Sequence, residues 1–159
     1  MVTAGKNPGD YEPQGAVLLQ MSQTAAIQTK GNVCVLSSGD WVKATAAAGH
    51  TGPFAVATKT STASDTINQY IVKGIVYVKA EGAITIHNLV CCSSSTAGAV
   101  AAYTASTINS TTPTGTQVIA GAADFQRVVG IYLGHENEGD GFTVGTDAVD
   151  GDTIRILLL

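Results

Sequence analysis

Apolar residues in this chain come in runs of strand length, each cut off by turn-forming residues. That rhythm restricts the fold more than any other feature. The clearest run is Tyr70-Ile71-Val72-Lys73-Gly74-Ile75-Val76-Tyr77-Val78-Lys79-Ala80, rich in the β-branched and aromatic residues that suit a pleated surface. Weaker runs occupy 32–36, 41–43, 54–60, 99–105, 125–135 and 153–159. Between them stand clusters such as Ser37-Ser38-Gly39-Asp40 and 93–98, whose residues favour turns. Many short strands at a spacing of roughly ten residues, with no amphipathic helical stretch, predict an all-β domain, a small β-barrel or sandwich.

Several local expectations follow. Segment 16–28 can be read as helix or strand, and the Thr and Gly-Asn that follow it favour strand. Glu81-Gly82 is expected to turn the chain so that 83–92 returns as the hairpin partner of 70–80. Gly130 interrupts the 125–135 strand and marks a bulge or a close backbone approach. Residues 106–117 are expected as an exposed loop, and 136–152 holds at most one short strand. A strand ending in Leu157-Leu158-Leu159 must be tied into a sheet, since loose leucines would invite aggregation. It either closes the barrel or pairs across a subunit boundary, which makes these three leucines the subunit-interface candidates. Residues 1–15, polar with Pro8, Pro13 and several glycines, read as an extended arm ahead of a single β-barrel domain at 16–159.

Composition narrows the function. Only 13% of residues are charged against 45% hydrophobic, well below the roughly 25% charged of an average soluble domain. A surface this poor in charge suits an assembly. The net charge is −4, and the eight basic residues are scattered with no two adjacent, so no phosphate-binding patch is present and nucleic acid is not expected as a partner. No stretch approaches the ~20 apolar residues of a membrane span, and the N-terminus lacks the apolar segment of a secretory signal, so no membrane partner is expected and synthesis in a cytoplasm is.

No constellation of reactive groups emerges, and neither an enzyme nor a cofactor is expected. Cys34, Cys91 and Cys92 form no even disulfide framework and read as reduced apolar fillers, with Cys91 and Cys92 on opposite faces of one strand. Together with His50, His87 and His135 they show no metal-ligand spacing. His87 is placed beside Thr85 on a strand's outer face. Glu136, Glu138, Asp140, Asp147, Asp150 and Asp152 could offer oxygens to calcium, but the spacing misses the EF-hand pattern and solvated turns are the expectation. Gly139–Gly145 is one residue off a dinucleotide loop and lacks the strand and helix around it. No GxSxG elbow exists.

Certain stretches carry a resemblance: Val72–Val78, Glu81-Gly82-Ala83-Ile84 leading to Asn88-Leu89-Val90, Gly98-Ala99-Val100, Arg127–Leu133, and the closing Gly151-Asp152-Thr153-Ile154-Arg155-Ile156-Leu157. In rhythm they resemble the head decoration proteins of tailed viruses, the lambda-like capsid-stabilising family. The sequence departs from that pattern at Asn88 and in the length of the 106–117 loop. The resemblance implies a β-tulip domain that sits as a homotrimer on the outer capsid surface of the virion, bound to the major capsid protein. It also implies an N-terminal arm that engages the shell by strand addition, for which Tyr11 and Pro13 are the anchor candidates. A β-structured tail, fibre or receptor-binding module is the alternative.

Overall fold

One strand organises the molecule. The computed structural model describes residues 7–22, 27–46, 50–62, 64–105, 125–137, 141–143 and 147–159. Within them the apolar run at 70–80 becomes a longer strand, β5 (Ile67–Lys79). Its first half pairs antiparallel with β1 (Val17–Ser22) on one edge and β4 (Phe54–Ala57) on the other. Its second half pairs with β10 (Thr153–Leu158). The junction is Gly74, at φ +118°, a value that L side chains rarely adopt. A Cβ there would stand 3.0 Å from the Cα of Ala16, so the chain leading into β1 passes directly over β5 at this glycine.

The remaining strands extend the sheet from both halves of β5. Beyond β4 lie β2 (Val33–Ser37) and β3 (Asp40–Lys43), joined by a hairpin with Ser38 and Gly39 both at positive φ. Beyond β10 lie β8 (Val128–Asn137), β6 (Leu89–Cys92) and β7 (Val100–Ala102), while β9 (Gly141–Thr143) pairs with β8. The result is one curled, antiparallel half-barrel sheet of ten strands among the described residues, eight of them in the order β3-β2-β4-β5-β10-β8-β6-β7, with β1 paired to β5 and β9 to β8 off that path. A bridge from Ala80 to Val100 brings the end of β5 to β7 and deepens the curl. The expected all-β single domain is present.

Curling gives the sheet two cores. Val33, Val56 and Ile71 from one half face Val76, Ile156 and Tyr132 from the other in the main cluster. On the opposite face of β2–β5 a second cluster holds Cys34, Trp41, Ala55, Ala57 and Tyr70. Strand β4 is therefore buried on both faces, with Phe54 and Val56 in one cluster and Ala55 and Ala57 in the other. The alanines leave room for the rings of Trp41 and Tyr70, whose centroids lie 6.0 Å apart. Fully buried Gln28 seals this core by donating to the Trp41 carbonyl at 3.4 Å and accepting from Cys34.

Two expectations need correction. The 83–92 segment is not the hairpin partner of β5. Only Leu89–Cys92 is strand, and it pairs with β7 and β8. Ile84 instead bridges Ala148, and His87 sits in a turn at φ +65° rather than on a strand face. The reason is that the C-terminal β10 takes the place beside β5, with Ile154, Ile156 and Leu158 all pointing into the main core. The 106–117 loop lies outside the described residues, as do parts of 136–152.

Gly130 is a close approach. It pairs with Val90 and Leu158, beside an irregularity at Val90/Cys91, and a Cβ on it would collide with the Leu157 carbonyl. Gly130→Ala is expected to destabilise the fold by about 1–3 kcal/mol through forced strand separation. A lowered urea midpoint at unchanged slope would check this.

Candidate interaction surface

The polar segment 7–12 does not project from the body; it is strapped onto β5. Gly9 donates its N–H to the Tyr77 carbonyl at 2.6 Å, Tyr77 donates to Asp10 at 2.9 Å, and Glu12 donates to Ile75 at 2.9 Å. Tyr11 bridges Val76, which also pairs with Ile156, so strap and β10 lie on opposite edges of β5. Side chains reinforce the joint. The Tyr77 hydroxyl donates to Glu12 Oε1 at 2.9 Å, and Lys30 Nζ lies 2.5 Å from Asp10 Oδ1.

Two glycines interlock beneath the strap. A Cβ on Gly9 would stand 2.8 Å from the Ala57 carbonyl, and one on Gly31, at φ +89°, would strike Pro8. Of the two sequence-derived anchors, Tyr11 is half-buried against the main core and Pro13 is exposed in the turn that follows.

A second feature opens at the other end of β10. Gly52, Pro53, Phe54, Leu89, Gln126, Val128 and Leu159 line a groove of about 600 Å³. Its wall is held by a hydrogen bond from Gly52 N–H to the Gln126 carbonyl at 2.6 Å. The three C-terminal leucines divide here. Leu158 is spent on the core at 1% exposure, Leu157 is half-buried, and Leu159 stands 62% exposed at the groove rim. Val17, Leu19, Ile67 and Val149 are further large apolar side chains left exposed.

Titratable groups serve the frame. Asp147 and Asp150 accept main-chain N–H groups of Ile86 and Gly82 at 3.0 and 3.1 Å, tying the 147–152 segment to the 82–86 stretch after β5, while Asp152 accepts the Val149 N–H at 2.8 Å within that segment. Glu81 accepts from Ser93 Oγ and, at 2.7 Å, from the Thr96 N–H, fastening the β6–β7 turn to the same corner. Glu138 and Asp140 lie outside the described residues. Among the described residues no group of three or more His, Cys, Asp and Glu stands together as a metal site. No described helix is long and apolar enough to cross a membrane.

All three cysteines are free, with Cys91 half-buried and Cys92 in the main core, on opposite faces as the alternation requires. Burial pushes the Cys34 and Cys92 thiols up to about 12, and likewise the Tyr70 and Tyr132 hydroxyls up to about 12. Burial also raises Cys91.

Comparison with protein-family models, curated proteins and solved structures found no match. The strap joint is what sequence reasoning missed. A Gly-Asp-Tyr-Glu stretch facing a Lys-Gly pair across the fold gives no local signal, since its partners are far along the chain.

Two outcomes are expected. Gly31→Ala would push Pro8 away and loosen the strap, raising amide hydrogen exchange at 75–77 and 9–12 while the β2–β4 amides stay protected. Alkali tests the buried acids. The unfolded chain ionises its thiols near 9.0 and its tyrosines near 10.0, but the fold holds Cys34, Cys92, Tyr70 and Tyr132 neutral to about 12. Their stabilising contribution is complete below pH 9 and declines as pH rises towards 12, because the unfolded state sheds protons first. The urea midpoint should fall steadily across that window.

Proposed function

We propose that this chain is a non-enzymatic decoration protein of a tailed-virus head, a trimer that sits on the outer capsid surface and holds the expanded shell together. The observation that carries the reading is the apolar surface left open on a charge-poor β frame. Leu159 stands at a groove of about 600 Å³, with Val17, Leu19, Ile67 and Val149 exposed elsewhere. An apolar-lined groove with an exposed leucine at its rim is the kind of surface that marks contact with other protein. The rhythm shared with head decoration proteins points to the major capsid protein as that contact.

The mechanism is binding linkage. A subunit whose contacts exist only on the expanded lattice stabilises that lattice over its precursor, and three linked copies hold on even when each contact is weak. Because residues 9–12 are engaged within the fold, shell contact falls to Leu159, the groove and the exposed Pro13 turn rather than to Tyr11.

Purified protein should co-sediment with empty expanded heads of the cognate virus and not with unexpanded ones. Leu159→Asp should weaken that binding by about 10- to 100-fold, the loss expected for one buried leucine contact. Binding to neither form would overturn the reading, and adsorption to host cells instead would favour a tail or fibre module.

A further inference from the structure

We propose that the strap is exchanged between copies of this chain, so that residues 9–12 of one copy pair with Ile75–Tyr77 of another. Only a short connection ties the strap to its own body. Residues 13–15 are exposed, and Gly15, at φ +75°, has no heavy atom within 4 Å of where its Cβ would stand. The acceptor, in contrast, is built. With the strap removed, the main chain of Ile75 and Tyr77 becomes an open strand edge, and the buried Tyr77 loses the Glu12 carboxylate that accepts from its hydroxyl. Exchange keeps every one of these contacts and redirects only the turn, which is the condition under which swapping costs little.

The strap's own sequence selects the occupant. Position 9 must be glycine, because any Cβ there meets the Lys30 side chain, Gly31 and the Ala57 carbonyl. Asp10 is matched to Lys30, and Glu12 to Tyr77. A strand from an unrelated protein would rarely meet these three demands in register, whereas a second copy meets all of them. Passing each strap to the next subunit forms a closed ring where the rotation between copies closes, and two mutual exchanges give a pair.

The exchange stands apart from the capsid reading, and its test contains no capsid. In a Cys91→Ser background, which leaves only the buried Cys34 and Cys92, one chain carries Asp10→Cys and a second, differently tagged chain carries Lys30→Cys. Both variants lose the Asp10–Lys30 pair, and Asp10→Cys also loses the Asn7 N–H bond to Asp10. The Gly9 fit, the Glu12–Tyr77 bond and the main-chain bonds to Ile75 and Tyr77 remain to dock the strap in register. The two chains are unfolded, refolded together and treated with a short bismaleimide. Exchange predicts a covalent heterodimer at several times the yield of a collision control that pairs Lys30→Cys with Val149→Cys. Deleting Gln14 shortens the turn and should shift the protein further from monomer to oligomer in light scattering.

A third chain carrying both Asp10→Cys and Lys30→Cys reports docking within one copy. If that chain links internally while the mixture stays at the control level, the exchange is refuted. A Gln14 deletion that yields only monomers refutes it too.

Discussion

Main-chain pairing along both edges of β5 is the constraint on which the rest of this structure depends. A strand of this length, paired with β1, β4, β10 and the strap, leaves almost none of its own backbone to water. Each partner brings a side-chain set to one of two cores. Positive φ at Gly74 lets the strand pass from one half of the sheet to the other, and the missing Cβ lets Ala16 cross above it. Without that crossing the strap could not reach its edge.

The two cores differ in how they are filled, and the difference follows from the curl. The main cluster gathers β-branched and leucine side chains from both halves, where facing surfaces interdigitate. The smaller cluster lies on the outer face of β2–β5, where alanines on β4 make space for Trp41 and Tyr70, and Gln28 closes it with satisfied hydrogen bonds. Polar residues are used in the same constructive way at the other end, where Asp147, Asp150 and Glu81 hold main-chain N–H groups of turns. Carboxylates spent on turns are acceptors in a scaffold. Large apolar side chains are left exposed beside the C-terminal groove and along β1 among the described residues.

Much of the strand inventory was legible because alternation and turn chemistry are local. The turn at Ser38-Gly39 follows from turn chemistry, and the buried alternation of Ile154, Ile156 and Leu158 and the opposite facing of Cys91 and Cys92 follow from a period of two. Gly130 was legible for the same reason, as a break in an otherwise apolar strand. The hairpin expected at Glu81-Gly82 failed because a turn signal states that the chain reverses without stating which strand it meets. In the fold, β10 claims the edge, and 83–88 is drawn aside to pair with Ala148.

By itself the sequence determined that this protein is all-β, poor in charge and built of short strands, since those properties reside in each segment's own period and composition. Only the tertiary structure decided who pairs with whom. It set β10 beside β5, laid residues 9–12 across Ile75–Tyr77, and sent Leu158 inward while leaving Leu159 at a groove. Pairing is a competition among edges that are distant along the chain, and its outcome depends on which arrangement buries the most apolar surface with every main-chain group satisfied. No local pattern encodes that comparison.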